Sequence, residues 1–277
     1  MPDYENMKEY NFLNGQILLS EEAKIHVSDL GLLRGYGIFD FFRAVNGKPV
    51  FMDDHLDRLE NSARLMGLPI PESRERLKEI ILELIELNPH DLLGIKVVMT
   101  GGYSPDGYTP AEPSNLMIIP KPFIFKPADI GMKLMTYEYS REIPEIKTLS
   151  YISPIRVLPK MREAGADDLL YHLNGDISES SRSNIFIIKD RKVITPKDGV
   201  LYGVTRKYVL ELCREHFEVE ERDVTLKETL EADEVFTTGS TKRVVAISQI
   251  DNTIFNDGKI GKQTRKIQSL FLERELL

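Results

Sequence analysis

Lys147 stands in Glu145-Ile146-Lys147-Thr148-Leu149-Ser150-Tyr151, a lysine among apolar and small residues in a chain whose other lysines mostly occupy acidic, solvated runs. An amine beside apolar residues loses hydration, so its neutral, nucleophilic form becomes accessible, which is the condition for imine formation with a carbonyl compound. A second cluster, Ile177-Ser178-Glu179-Ser180-Ser181-Arg182-Ser183-Asn184, sets one carboxylate among small hydroxyl residues that leave room for a ligand. Each has a plain alternative, a surface lysine among 36 Lys and Arg residues and a serine-rich turn. Their combination is what points to chemistry.

Anion-seeking groups accompany them. Arg34 lies among Gly31, Gly35 and Gly37, where a guanidinium either holds a carboxylate bidentately or pairs with Asp29. Arg58 falls close to the apolar face of a helix and needs an anion there. Gly203-Val204-Thr205-Arg206 opens a helix whose free N–H groups favour anions, and Thr238-Gly239-Ser240-Thr241 is a second turn suited to phosphate oxygens. An imine-forming amine, an acid for a ring nitrogen and donors for a phosphate are together the requirements of pyridoxal 5′-phosphate.

Elements that position these groups can be read from pattern. Asn14-Gly15, Asn46-Gly47 and Asn174-Gly175 mark tight turns between strands. Helices are expected from Asp54 to a stop at Gly67, from Glu72 to Leu87, from Ser153 to Gly165 with a kink or early end at Pro159, through Phe217, and over 261–277. His55 reads as a first-turn surface histidine. Leu92 to Thr100 is a strand that carries Lys96, and 101–110 is a long Gly/Pro/Tyr loop suited to capping a site. Lys121 to Ala128 contains two prolines, Pro122 and Pro127, and reads as a linker.

A chain of 277 residues with 42% hydrophobic and 29% charged residues is an ordinary globular protein with room for two lobes. The net charge of −8 argues against a general nucleic-acid binder. Cys213 is the only cysteine, which excludes an intramolecular disulfide, and its place on an apolar helix face makes it a structural thiol. No apolar run reaches membrane-spanning length, and a cytoplasmic location is expected.

The motifs Asp54-His55-Leu56-Asp57-Arg58-Leu59, Lys147 to Tyr151, Ile177 to Phe186, Gly203 to Arg206 and Thr238-Gly239-Ser240 occur in an order that resembles the class IV aminotransferases, the fold-type IV pyridoxal-phosphate enzymes. The resemblance implies an α/β (α+β) fold. A small N-terminal α/β domain (1–121) and a linker (122–128) would precede a larger cofactor-binding domain (129–277) with a strongly twisted, mainly antiparallel, barrel-like sheet. It also implies a homodimer. Lys147 would form the imine with the cofactor and shuttle the proton, Glu179 would hold the pyridine nitrogen protonated, Tyr151 would bond the phenolic oxygen, and Leu201 would pack on the ring. Arg58, Val204, Thr205, Gly239 and Ser240 would hold the phosphate. No metal is implied.

Substrate choice follows less directly. The Arg-x-His carboxylate clamp of well-known D-amino-acid transaminases is absent, since the matching positions read Asp106-Gly107-Tyr108. The branched-chain pattern is met only partly by Arg34-Gly35 and Phe39-Asp40-Phe41-Phe42-Arg43. Arg34, acting from a neighbouring subunit, and Lys96 are the cations able to replace the clamp, with Phe39 and Thr241 completing the substrate side; for Lys96 an outward-facing strand lysine is the alternative. This combination is similar to an atypical subgroup of D-amino-acid transaminases that takes substrates such as D-alanine. Branched-chain L-amino-acid aminotransferase, aminodeoxychorismate lyase and a non-enzymatic binding protein remain as alternatives.

Overall fold

Asn14-Gly15, Asn46-Gly47 and Asn174-Gly175 each place two successive residues at positive φ (46° and 89°, 48° and 77°, 54° and 92°), the turn geometry that matches the twist of a two-stranded ribbon. The hairpins they close belong to two separate sheets. A computed structural model describes residues 8–125 and 129–275. The chain divides into two compact units, one formed by residues up to 124 together with 146–150, the other by 125–145 together with residues from 151 onward. The sequence reading put Lys147 in the second domain; the structure groups its short segment with the first unit. Of the expected linker, residues 126–128 lie outside the described residues.

In the first unit, β1 (Tyr10–Leu13), β2 (Gln16–Leu19), β3 (Gly37–Val45), β4 (Lys48–Pro49), β5 (Leu92–Thr100) and β6 (Asn115–Pro122) form an antiparallel sheet in the order β2-β1-β6-β5-β3-β4. α1 (Leu30–Arg34), α2 (Met52–Met66) and α3 (Arg74–Leu87) accompany it. Because side chains alternate along a strand, β3 sends Ile38, Asp40 and Phe42 to one face, opposite Met99, Val97 and Ile95 of β5. That face packs with Leu56, Leu59 and Ala63 of α2 and Leu77, Ile80 and Leu84 of α3. The other face carries Phe39 and Phe41, opposite Val98 and Lys96.

The glycines around Arg34 have a structural cause. A Cβ at Gly31 would lie 2.5 Å from Thr100 Cγ2, and one at Gly37 would lie 2.5 Å from the Met99 carbonyl oxygen, so what crowds this backbone is β5. Strand β6 runs on through Pro120 and Pro122, which the sequence reading had given partly to the linker. β1 pairs with β6 only at Met117 and Ile118, so beyond that point one side of β6 is an edge, where prolines are tolerated.

The second unit contains β7 (Met132–Glu138), β8 (Asp168–Leu173), β9 (Asp176–Ser180), β10 (Ser183–Lys189), β11 (Lys192–Thr195), β12 (Glu218–Glu221), β13 (Glu234–Gly239), β14 (Arg243–Ile250) and β15 (Thr253–Ile254). Strand β9 pairs with both β8 and β10, so β10-β13-β14-β7-β8-β9 closes on itself as a barrel, with β11 and β12 continuing outward from β10. Pairing is parallel at β14–β7, β7–β8 and β11–β12 and antiparallel elsewhere. Leu170, Ile177, Ile185, Ile187, Val235 and Ile247 share its core. Helices α4 (Ile152–Glu163), α5 (Val204–His216), α6 (Leu226–Leu230) and α7 (Lys262–Glu275) complete the unit. Pro159 sits inside α4, which nevertheless continues to Glu163; the ring removes one N–H without ending the helix.

Helix α7 is anchored by Glu234 of β13. Its carboxylate accepts the Gln263 N–H (3.0 Å), the Thr264 N–H (2.7 Å) and the Thr264 hydroxyl (2.7 Å), satisfying orphan first-turn donors at the positive end of the helix. Charge-assisted hydrogen bonds contribute about 1.5–3 kcal/mol each, so Glu234→Ala is expected to lower the unfolding free energy by about 3 kcal/mol, read by urea denaturation; a midpoint within error of the parent would contradict the anchor. No helix among the described residues is long and apolar enough to cross a membrane.

Candidate active site

Lys147 is held by β3. The Phe39 N–H donates to the Lys147 carbonyl at 2.9 Å, the Leu149 N–H donates to the Gly37 carbonyl at 3.0 Å, and Ile38 and Thr148 form an antiparallel bridge. Residues 147–149 thus lie along the strand like a short extra partner. The half-buried Lys147 places its Nζ 4.3 Å from the Phe39 ring centroid, and Lys96, exposed on β5, places its own at 5.3 Å from the same ring. Two amines therefore lie over one aromatic ring, an arrangement that presents positive charge to an anionic ligand.

The opposite face of β3 holds a buried polar cluster. Asp40 is 2% exposed; its carboxylate accepts Arg58 Nε at 2.7 Å and Nη2 at 2.8 Å and lies 2.6 Å from His55 Nδ1. Burial alone would raise the Asp40 carboxyl, but Arg58 and His55 override it and hold the group well below the usual carboxylate range. Burial lowers the His55 imidazole, more than Asp40 raises it, and Arg58 and Arg43 lower it further. The surface histidine expected from sequence is thus a buried, Asp40-bound one. Arg58 does find the anion it needed, and within the chain that anion is Asp40.

In the second unit Glu179 is 5% exposed on β9. Its Oε1 accepts Arg141 Nε at 2.8 Å and its Oε2 accepts the Leu201 N–H at 3.0 Å. Asn184 donates to the Leu201 carbonyl at 2.7 Å and lies so close to Gly203 that a Cβ there would collide with its Oδ1, which is why glycine precedes α5. No side chain caps α5, and Val204 and Thr205 are buried in its first turn. Across the β10–β13 pair, Asn184 lies opposite Thr238. The hydroxyls of Ser180, Ser183 and Thr238 are buried without a hydrogen-bond partner among the described residues, and Ser183 Oγ lies 3.4 Å from the point where a Cβ on Gly239 would stand.

The turn that carries Ser240 and the exposed Thr241 is pinned from below. Lys242 Nζ lies 2.7 Å from Asp168 Oδ2, and Ser181 donates to the other oxygen of the same carboxylate. Burial would raise the Asp168 carboxyl; Lys242, Ser181 and Arg182 lower it on balance. Tyr151 is the residue before α4 and is half-buried.

Arg34 does not pair with Asp29. Asp29 caps α1 and accepts Thr100 Oγ1 at 2.5 Å and Asn115 Nδ2 at 2.6 Å, whereas the exposed Arg34 donates to the Leu33 carbonyl and makes no ion pair among the described residues. Asp106 organises its own loop by accepting Ser104 Oγ, the Tyr108 and Thr109 N–H groups and Thr109 Oγ1. Sequence reasoning missed Asp40, Arg141 and Asp168. Asp40 left a signal, a charge inside an apolar strand; Arg141 lies in an irregular segment and left none. No cluster of metal-ligating side chains occurs among the described residues.

The first unit thus sets an amine on an aromatic ring, and the second holds a buried carboxylate and hydroxyl-rich turns. The family described as amino-transferase class IV matches residues 37–250, from the first residue of β3 to the last of β14, and the chain belongs to it. A Methanocaldococcus jannaschii protein provisionally named a branched-chain-amino-acid aminotransferase is 31% identical over 273 residues, covering 94% of each chain. The D-alanine aminotransferase of Bacillus licheniformis is 30% identical over 266 residues, covering 92% of this chain and 93% of its own. The branched-chain aminotransferase of the thermophilic archaeon Thermoproteus uzoniensis, solved with norvaline, superposes with a TM-score of 0.89 at 26% identity, over 97% of this chain and 95% of its own. Another branched-chain amino acid aminotransferase, solved with pyridoxamine 5′-phosphate, superposes with a TM-score of 0.90.

Proposed function

We propose that the chain is a pyridoxal 5′-phosphate-dependent transaminase that moves an amino group between an amino acid and a 2-oxo acid in two successive half-reactions, with D-amino acids such as D-alanine preferred. The observation that carries this reading is the setting of Lys147, a lysine locked by backbone bonds to β3 with its amine on the Phe39 ring. The cofactor supplies an electron sink for the charge left on the substrate when its α-proton departs. Lys147 tethers the cofactor and carries that proton. Glu179 would hold the proton of the pyridine nitrogen, Tyr151 would donate to the phenolic oxygen, and Leu201 would cover the ring.

Residues of the second unit fit the phosphate. Ser183 and Thr238, beside Gly239, have buried hydroxyls without partners among the described residues, and such groups call for an acceptor-rich ligand. The α5 N-terminus at Val204 and Thr205, with Gly239 and Ser240, adds N–H donors. Arg58, with Nε and Nη2 committed to Asp40, contributes its remaining nitrogen. The D-amino-acid preference is supported by the Bacillus licheniformis relative and by Arg34 and Lys96, which with Phe39 and Thr241 would receive the substrate. The working form is a homodimer in the cytoplasm, with Arg34 serving the neighbouring subunit's site.

The branched-chain reading has its own support in the Methanocaldococcus jannaschii relative and the Thermoproteus uzoniensis structure. An absorbance spectrum of the cofactor-loaded protein, repeated after D-alanine or L-leucine is added without a 2-oxo acid, separates the cases. D-alanine alone is expected to convert the visible band to that of pyridoxamine phosphate. Conversion by L-leucine alone moves the assignment to branched-chain L-amino acids, and a band unchanged by both moves it to the lyase.

A further inference from the structure

Glu179 is gripped from two directions. Arg141, in the segment after β7, donates from Nε to one carboxylate oxygen at 2.8 Å, and the Leu201 N–H donates to the other at 3.0 Å. The same guanidinium also donates to the Pro144 carbonyl, so it is fixed at its own end. The two side chains are 13% and 7% exposed. A carboxylate with a donor on each oxygen cannot swing about its terminal torsion, and a half-buried guanidinium at hydrogen-bond distance is a charge-assisted partner for it.

The same cation has an opposite effect on any other proton nearby. Positive charge beside the carboxylate makes it less favourable for a further proton to settle on a ring held against that carboxylate. We propose that Arg141 is a positioning residue that fixes the plane of Glu179 and sets how strongly Glu179 holds the proton of the cofactor's pyridine nitrogen. The inference rests on the cofactor chemistry proposed above.

Other titratable and charged groups around Glu179 are on β8 and its neighbours. Tyr171 is 1% exposed; burial first, then the Asp168 carboxylate, Tyr139, Glu179 and Tyr151 push its phenol well above the ordinary range, so it stays neutral through the working pH range. Asp168 is paired with Lys242. Arg141, by contrast, is a cation in direct contact with the Glu179 carboxylate.

The test compares the cofactor-loaded parent protein with Arg141→Met and Arg141→Lys by two readouts: the pH at which the visible absorbance band changes, and the dissociation constant of pyridoxal 5′-phosphate by equilibrium dialysis. Arg141→Met is expected to raise the transition by about one pH unit, because a neighbouring positive charge is gone, and to weaken cofactor binding about tenfold through loss of the fixed carboxylate. Arg141→Lys keeps the charge but not the planar fork, so its transition should stay at the parent pH while its affinity falls severalfold. A Met variant that loses thermal stability but keeps the parent transition and dissociation constant overturns the proposal. Should that variant not fold, an unchanged dissociation constant in Arg141→Lys overturns it equally. A parent protein that takes up no pyridoxal phosphate would instead remove the functional reading beneath it.

Discussion

Lys147→Ala is expected to abolish the visible absorbance of the cofactor-loaded protein and to lower the transamination rate by about 10⁴-fold or more, while the unfolding midpoint shifts little. The rate loss follows from removing two contributions at once. A positioned proton carrier is worth about 10²–10⁴, and covalent tethering adds to it. The fold should tolerate the change because the bonds that hold this segment to β3 are made by backbone: the Phe39 N–H to the Lys147 carbonyl and the Leu149 N–H to the Gly37 carbonyl. Alanine keeps both. Stopped-flow turnover and calorimetry on the same preparation check the two halves of the expectation. Retained activity would remove Lys147 from the chemistry, whereas a collapsed unfolding transition would show that the amine on Phe39 is chiefly structural.

Much of the frame could be read locally, because its signals are local. Three Asn-Gly turns specify their own positive φ angles, and the apolar periodicity of 74–87 is visible without any partner. What could not be read depends on contacts between distant residues. The barrel closes through β9 and β10 across Ser181-Arg182, a turn without the glycine of the three Asn-Gly hairpins. His55 looked solvent-facing because its partner, Asp40, lies 15 residues earlier on another element. The oddness of Lys147 and Glu179 was legible in their neighbours in sequence, whereas Arg141 became visible only once the fold brought it 38 residues across to Glu179.

Asp40→Asn should destabilise the protein more than the loss of the α7 anchor. Asp40 neutralises a guanidinium whose side chain is only 11% exposed, and removing one partner of a buried pair costs about 3–5 kcal/mol. Asparagine is nearly isosteric, but its amide presents donors to a site already filled with them. The pH dependence carries the signature. Both folded-state shifts are downward, so the unfolded chain takes up protons first and stability falls with acidification. The His55 contribution is present above about pH 6.5 and declines below it; that of Asp40 is present above about pH 4 and declines below that. Asp40→Asn removes the second stage and, because Asp40 is what partly offsets the lowering of His55, leaves the first at least as large, so the stability difference from the parent should hold or grow down to about pH 4 and narrow below it. Urea unfolding at several pH values measures this, and a difference that narrows already between neutrality and about pH 4 would contradict it. If Arg58 also reaches the cofactor phosphate, loading Asp40→Asn with pyridoxal 5′-phosphate returns an anion to the stranded guanidinium. The variant should then gain more stability from the cofactor than the parent does, whereas a purely structural Arg58 predicts equal gains.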